Sequence, residues 1–139
     1  MSDERSSTVA IQIRFADVDM AHHVHNGVYL HWFELARMEF LKRFIPKDHD
    51  WKAQGLILAR NEVDYRLPVR LNDTIEAEAW CSALGNKSFD LSYRIHRKGG
   101  KAPGICAGGR SVMVCFDYTN EHTIAVPAAW REVLSTLVH

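Results

Sequence analysis

Val9, Ile11 and Ile13 alternate with Ala10, Gln12 and Arg14, the period of a half-buried strand, after a polar stretch over residues 1–7 that reads as a frayed start. The stretch ADVDMAHHVHNG that follows keeps neither strand nor helix period and mixes acids, imidazoles, Asn and Gly, so it reads as a loop. From Gly27 the period changes. Val28, Tyr29, Trp32, Phe33, Leu35, Ala36, Phe40, Leu41 and Phe44 recur at steps of three and four, which predicts a helix over 27–44 with Asn26 as N-cap and Pro46 as its stop. So wide and aromatic a stripe implies deep burial, with Glu34, Arg37, Lys42 and Arg43 on the polar side.

The remaining chain is strand-like. Segments 55–70, 73–84, 88–97 and 103–118 carry alternating or continuous apolar positions, and the turn-forming pieces 71–73, 85–87 and 98–102 separate them, so they read as four long strands joined by hairpins. Pro127 followed by Trp130, Val133, Leu134 and Leu137 at helical spacing predicts a short closing helix. The order is strand, long buried helix, four strands, short helix: an α+β chain with a five-stranded antiparallel sheet around one central helix. Long sheet edges favour a second copy, so a homodimer is expected.

At 139 residues the chain suits one domain over 1–139. Seventeen Lys and Arg balance seventeen Asp and Glu, which leaves no overall positive field of the kind a dedicated nucleic-acid binder shows. Cys81, Cys106 and Cys115 form an odd set without CxxC spacing, which fits neither a disulfide framework nor a zinc knuckle and suits a reducing cytoplasm. The start is too polar for a signal peptide, and no stretch approaches the roughly 20 apolar residues of a membrane span.

The chemistry concentrates in one place. Residues 17–26 put Asp17, Asp19, His22, His23, His25 and Asn26 just before the buried helix. A carboxylate near apolar surface gains basicity by desolvation, and backbone N–H groups at a helix start polarise a carbonyl, which together suits acyl transfer. The plainer reading is that Asp17, Asp19 and Asn26 satisfy backbone donors in a loop and cap.

Arg14-Phe15-Ala16-Asp17-Val18-Asp19, then His23-Val24-His25-Asn26-Gly27-Val28-Tyr29-Leu30, then Phe33-Glu34-Leu35-Ala36-Arg37, resembles the N-terminal signature of the 4-hydroxybenzoyl-CoA thioesterase family of hotdog-fold acyl-CoA thioesterases. Val63-Asp64-Tyr65, Pro68-Val69, Leu71-Asn72-Asp73 and Lys87-Ser88-Phe89 resemble later parts of the pattern. The resemblance implies a hotdog fold whose copies join their sheets, with active sites at the interface of a homodimer or homotetramer. It implies hydrolysis of an acyl-CoA thioester to the carboxylic acid and coenzyme A, with no cofactor or metal, since coenzyme A belongs to the substrate.

Asp19 matches the catalytic aspartate, as nucleophile or general base, and the residues choose neither. The backbone N–H of Asn26 would hold the thioester oxygen while Gly27 permits close approach; His23 would bind substrate or tune Asp19; Lys87, beside Ser88, would meet the nucleotide end of coenzyme A. His25 stands where relatives often carry Asn or an aromatic residue. Trp32, Phe33, Trp51 and Tyr65 are acyl-pocket or core aromatics, Glu62 and Asp64 are lesser acids, and Arg97, Lys98 and Lys101 form a basic hairpin. The alternatives are a hotdog hydratase or dehydratase, a non-catalytic acyl-CoA binder, and a metal module on His22, His23 and His25.

Overall fold

The computed structural model describes residues 4–99 and 103–139. Strand β1 (Ser6–Ile11) leads through a 3-10 turn (Phe15–Asp17) and a loop into helix α1 (Val28–Leu41). Four long strands follow: β2 (Gly55–Tyr65), β3 (Thr74–Leu84), β4 (Ser88–Lys98) and β5 (Gly104–Asp117). A two-residue β6 (His122–Thr123) and helix α2 (Ala128–Leu137) close the chain. The chain is α+β, with one long buried helix against an antiparallel sheet, the arrangement the resemblance implies.

Among the described residues the strands number six, not five. After β5 the Asp117 carboxylate accepts from the Thr119 and Asn120 N–H groups, and the turn brings His122 back to pair with Asp117. Two residues show no period, so the sequence pattern cannot reveal such a strand. The first strand also begins earlier than the alternation suggests. Ser6 and Ser7 are buried because they pair with Trp80 and Ala79 of β3, while Arg43 donates to the Ser7 hydroxyl at 2.9 Å and to the Ser6 carbonyl.

The sheet order is β1-β3-β4-β5-β2, with β6 beside β5. β3–β4 is a hairpin, its turn closed by Gly85 N–H on the Ser88 carbonyl at 2.8 Å. β4 and β5 pair directly, and residues 100–102 of the turn between them, Lys101 included, lie outside the described residues. β2 and β3 are not a hairpin. β2 pairs with β5 at the far edge, and the chain crosses the sheet over residues 66–73 to begin β3. Alternation reveals a strand but not its neighbour.

α1 ends at Leu41, short of the predicted 44. Arg43 and Phe44 donate to the carbonyls of Phe40 and Leu41, three residues back, so the last turn tightens before Pro46 is reached. The stripe Tyr29, Trp32, Phe33, Ala36, Phe40 and Leu41 is buried as expected. The helix packs across β1, β3 and β4, where small Ala77 and Ala79 face it. Phe33 stacks on Tyr93 with ring centroids 4.5 Å apart. It also occupies the space a side chain at Gly109 would need, since a Cβ there would stand 2.5 Å from the Phe33 ring. At the far end, Phe44 meets Trp130 of α2.

Candidate active site

The loop between β1 and α1 is built on Asp17. Its carboxylate, 2% exposed, accepts from the Arg14 backbone N–H at 2.8 Å and from the Arg14 guanidinium at 2.8 and 3.2 Å. Burial is the largest single influence on Asp17 and favours the neutral acid. The hydrogen bonds and charge of Arg14, with His31 adding to them, outweigh it and hold the carboxyl below the usual range. The Asp17 carbonyl in turn accepts the His25 N–H at 2.8 Å, so one residue anchors both ends of the loop. Asp17 therefore serves the loop's structure, as the plainer reading of the sequence has it.

Asp19 sits at the neck of an inner turn. Val18 and Val24 form an antiparallel bridge, Asp19 N–H donates to the His23 carbonyl at 2.9 Å, and His22 takes φ +65° to close the turn. The Asp19 Oδ1 accepts from the N–H groups of Ala21 at 2.9 Å and His23 at 3.3 Å. Oδ2 takes no hydrogen bond among the described residues, and the side chain is exposed. One oxygen holds the loop while the other is available for chemistry.

The helix start departs from the expected cap. Asn26 makes no side-chain cap; Gly27 flanks the helix, and its N–H donates to Nδ1 of His25 at 3.1 Å. An imidazole two residues upstream has taken the acceptor role that Asn26 was expected to fill. The Asn26 N–H has no partner among the described residues, whereas its carbonyl accepts the Tyr65 hydroxyl at 2.7 Å. That bond spans 39 positions of sequence and fixes the helix start to the end of β2. Val24 N–H, bonded to the Val69 carbonyl at 2.8 Å, ties the loop to the crossing segment.

Asp19, His23, Asn26 and Gly27 therefore share one loop and helix start, with His23 bonded to Asp19 through its main chain. Lys87 and Ser88 do not join them. They lie at the β3–β4 turn, while the loop lies near the other end of β4, where Ile75, partner of Ile11, pairs with Arg97. Eleven residues of strand separate those ends, roughly 30 Å. Among the described residues Lys87 Nζ reaches only Thr123 Oγ1, at 3.4 Å.

The secondary candidates resolve as follows. Trp32 and Phe33 are core, Trp51 is exposed beside His49, and Tyr65 stands edge-on to Tyr29. Glu62 is bound by Arg110 and Arg60, and Asp64 pairs with Gly108 of β5. Arg97 pairs with Asp73 and Lys98 with Glu76, so both are committed. Burial pushes the thiols of Cys81 and Cys115 up to about 11 and raises Cys106, which leaves little thiolate at neutral pH. Among the described residues no three His, Cys, Asp or Glu side chains are grouped as a metal ion would need. A cleft of about 640 Å³ between β1 and α1, lined by Gln12, Arg14, Asp17, Val28, Trp32 and Leu35 among others, adjoins the loop without including Asp19 or Asn26.

The loop, the helix and the sheet all fall within residues 13–134, which match the family model of the thioesterase-like superfamily. The chain belongs to that superfamily. As a member of the superfamily it is a thioester hydrolase with a hotdog fold. It is 25% identical over 131 residues to the long-chain acyl-CoA thioesterase FadM of Escherichia coli K12, covering 92% of this chain and 96% of that one. A predicted thioesterase from Bacillus stearothermophilus superposes with a TM-score of 0.85 at 28% identity, over 96% of this chain and 97% of that one. A thioesterase from Thermus thermophilus, complexed with coenzyme A and Zn, gives 0.80 at 30% identity, over 94% and 92%. Among the described residues no helix is long and apolar enough to cross a membrane.

Proposed function

We propose that the protein hydrolyses an acyl-CoA thioester to the free carboxylic acid and coenzyme A in the cytoplasm, with Asp19 as the reacting carboxylate and no cofactor or metal. The observation that carries this reading is the unpartnered Asn26 N–H at the start of α1, on the same short loop as the free Oδ2 of Asp19. A thioester oxygen placed on that donor gains charge as the carbonyl is attacked, and a preorganised donor of this kind contributes about 3 kcal/mol. Asp19 then acts in one of two ways. As a base it takes a proton from water, whose oxygen bonds to the acyl carbon as the C–S bond breaks, and the proton passes to the departing thiolate. As a nucleophile its oxygen bonds to the acyl carbon as the C–S bond breaks and the thiolate departs; water then cleaves the resulting anhydride to the carboxylic acid and the Asp19 carboxylate, and the proton released goes to the thiolate.

The Lys87 position supports a site shared between copies. β2 is an unpaired edge, and two copies joined across it antiparallel set the Tyr65 end of one beside the Gly55 end of the other. The Lys87 turn lies at that Gly55 end of the sheet, because Ser88 pairs with Val114, which also pairs with Ile57. The partner's Lys87 and Ser88 would then approach the loop that their own chain keeps roughly 30 Å away. In that arrangement Lys87 meets phosphates of coenzyme A, and His23 and Gly27 line the path of the thioester.

Similarity to a long-chain acyl-CoA thioesterase over nearly the whole chain supports acyl-CoA as the substrate class. The test is thiol release from a panel of aromatic, short, medium and long acyl-CoA thioesters. Turnover of at least one class is expected; absence of release from every member of the panel overturns the reading.

A further inference from the structure

The acceptor at the start of α1 is an imidazole nitrogen, and that carries a consequence for the reaction. Nδ1 of His25 accepts the Gly27 N–H only when it bears no proton, so the bonded ring is neutral with its proton on Nε2. The same residue is held at both ends of its main chain. Its N–H donates to the Asp17 carbonyl at 2.8 Å, and its carbonyl accepts the Val28 N–H at 3.0 Å. Between these fixed points lies the Asn26 N–H, without a partner among the described residues, its own carbonyl pinned by Tyr65. His25 thus removes Gly27 as a competing donor and sets the turn that presents Asn26.

We propose that His25 is a positioning residue for the hydrolysis: as a neutral imidazole it holds the 25–27 turn so that the Asn26 N–H faces the thioester oxygen, and mild acid disables the site by protonating Nδ1. This rests on the proposed function for its catalytic part. Protonation turns the acceptor into a donor aimed at another N–H, so the bond is lost, and it brings a positive charge to the positive end of the helix dipole. Histidine is the side chain whose charge changes in the mildly acid range, where a carboxylate in the same place would stay an acceptor.

The ionisable groups on the elements packed around this turn are mostly committed elsewhere. Asp17 is bonded to Arg14, Tyr65 to the Asn26 carbonyl, and Asp73 to Arg97 and the Arg70 N–H. Tyr29 of α1 packs on Tyr65, and the loop, α1 and the crossing segment also carry Asp19, His22, His23, His31, Arg66 and Arg70.

The test compares kcat/KM for a turned-over acyl-CoA between pH 5 and pH 8 in the native protein, His25→Asn and His25→Ala. It is joined to the 15N–1H shift of the Gly27 amide over the same range. Asn supplies a side-chain oxygen to the N–H two residues on, an acceptor that does not titrate. Native protein should lose at least tenfold in kcat/KM toward pH 5. His25→Asn should keep at least a third of the native rate at pH 8 and lose less than threefold toward pH 5. His25→Ala should fall about tenfold at pH 8, mainly in kcat. The Gly27 amide should shift with the ring titration in the native protein and stay flat in His25→Asn. An acid limb retained in His25→Asn, or a Gly27 amide indifferent to the ring, overturns the proposal. A titrating Gly27 amide in a protein that releases no thiol at pH 8 upholds the turn and overturns the hydrolysis instead.

Discussion

Asp17 and Asp19 stand two residues apart and do opposite work. Asp17 is sealed under Arg14, whereas Asp19 gives one oxygen to backbone donors and leaves the other open. Asn keeps an oxygen for the Ala21 and His23 N–H groups while removing the charge, and Ala removes both. Asp19→Asn should therefore melt within about 1 °C of the native protein and Asp19→Ala several degrees lower, as calorimetry would show. With Glu62, Glu78 and Asp117, whose carboxyls are also held below the usual range, Asp17 contributes to the acid sensitivity of the fold. Its folded pKa is depressed, so its stabilisation is complete above the unfolded value of about 3.9 and fades as pH falls through the lower folded value. Thermal melts from pH 6 to pH 2.5 should show Asp17→Asn less stable than the native protein, with the gap closing at the acid end. The spacing of acids, imidazoles and Asn before a buried stripe made this loop legible in the sequence. The structural part of Asp17 was among the readings its own residues allowed, the proposal of chemistry on Asp19 came only through resemblance, and the Tyr65 bond to Asn26 was not legible at all, because nothing local to either residue signals a contact across 39 positions. The His25 contact had a signal, an acceptor two residues before Gly27, that the preference for Asn26 as cap obscured.

At the scale of elements, period and breadth located α1 and the four long strands to within a few residues, since burial of one face leaves its mark on every strand and helix turn. What escaped was set by pairing. Ser6 and Ser7 look like a polar tail until β3 and Arg43 cover them, and β2 looks like the first half of a hairpin until the sheet order places it beside β5. A close fit between elements is Phe33 against Gly109 and Tyr93, where α1 meets the middle of the sheet. Gly109→Ala must relieve clashes with both the Phe33 ring and the Glu62 carbonyl, and overpacking of this kind costs about 2 kcal/mol. A chemical denaturation midpoint lowered accordingly, with an unchanged slope, is the expected outcome.

For the whole molecule, one chain holds the loop and helix start but keeps Lys87 and Ser88 at the other end of β4. The proposed site is complete only if a second copy extends the sheet across β2. Sedimentation should therefore give a mass of at least twice 15.9 kDa under assay conditions, and dilution to monomer should lower kcat/KM; a monomer with full turnover contradicts the shared site. No periodicity could expose this, because it depends on which edge remains open after the sheet is assembled. Resemblance gave the expectation, and the sheet order gives it a geometry. The central claim, hydrolysis by Asp19, rests on fewer groups and is tested more directly. Thiol release from the best acyl-CoA substrate should fall at least a hundredfold in kcat for Asp19→Asn with its fold and oligomeric state intact, whereas an Asp19→Asn enzyme that turns over like the native protein would place the chemistry on another residue.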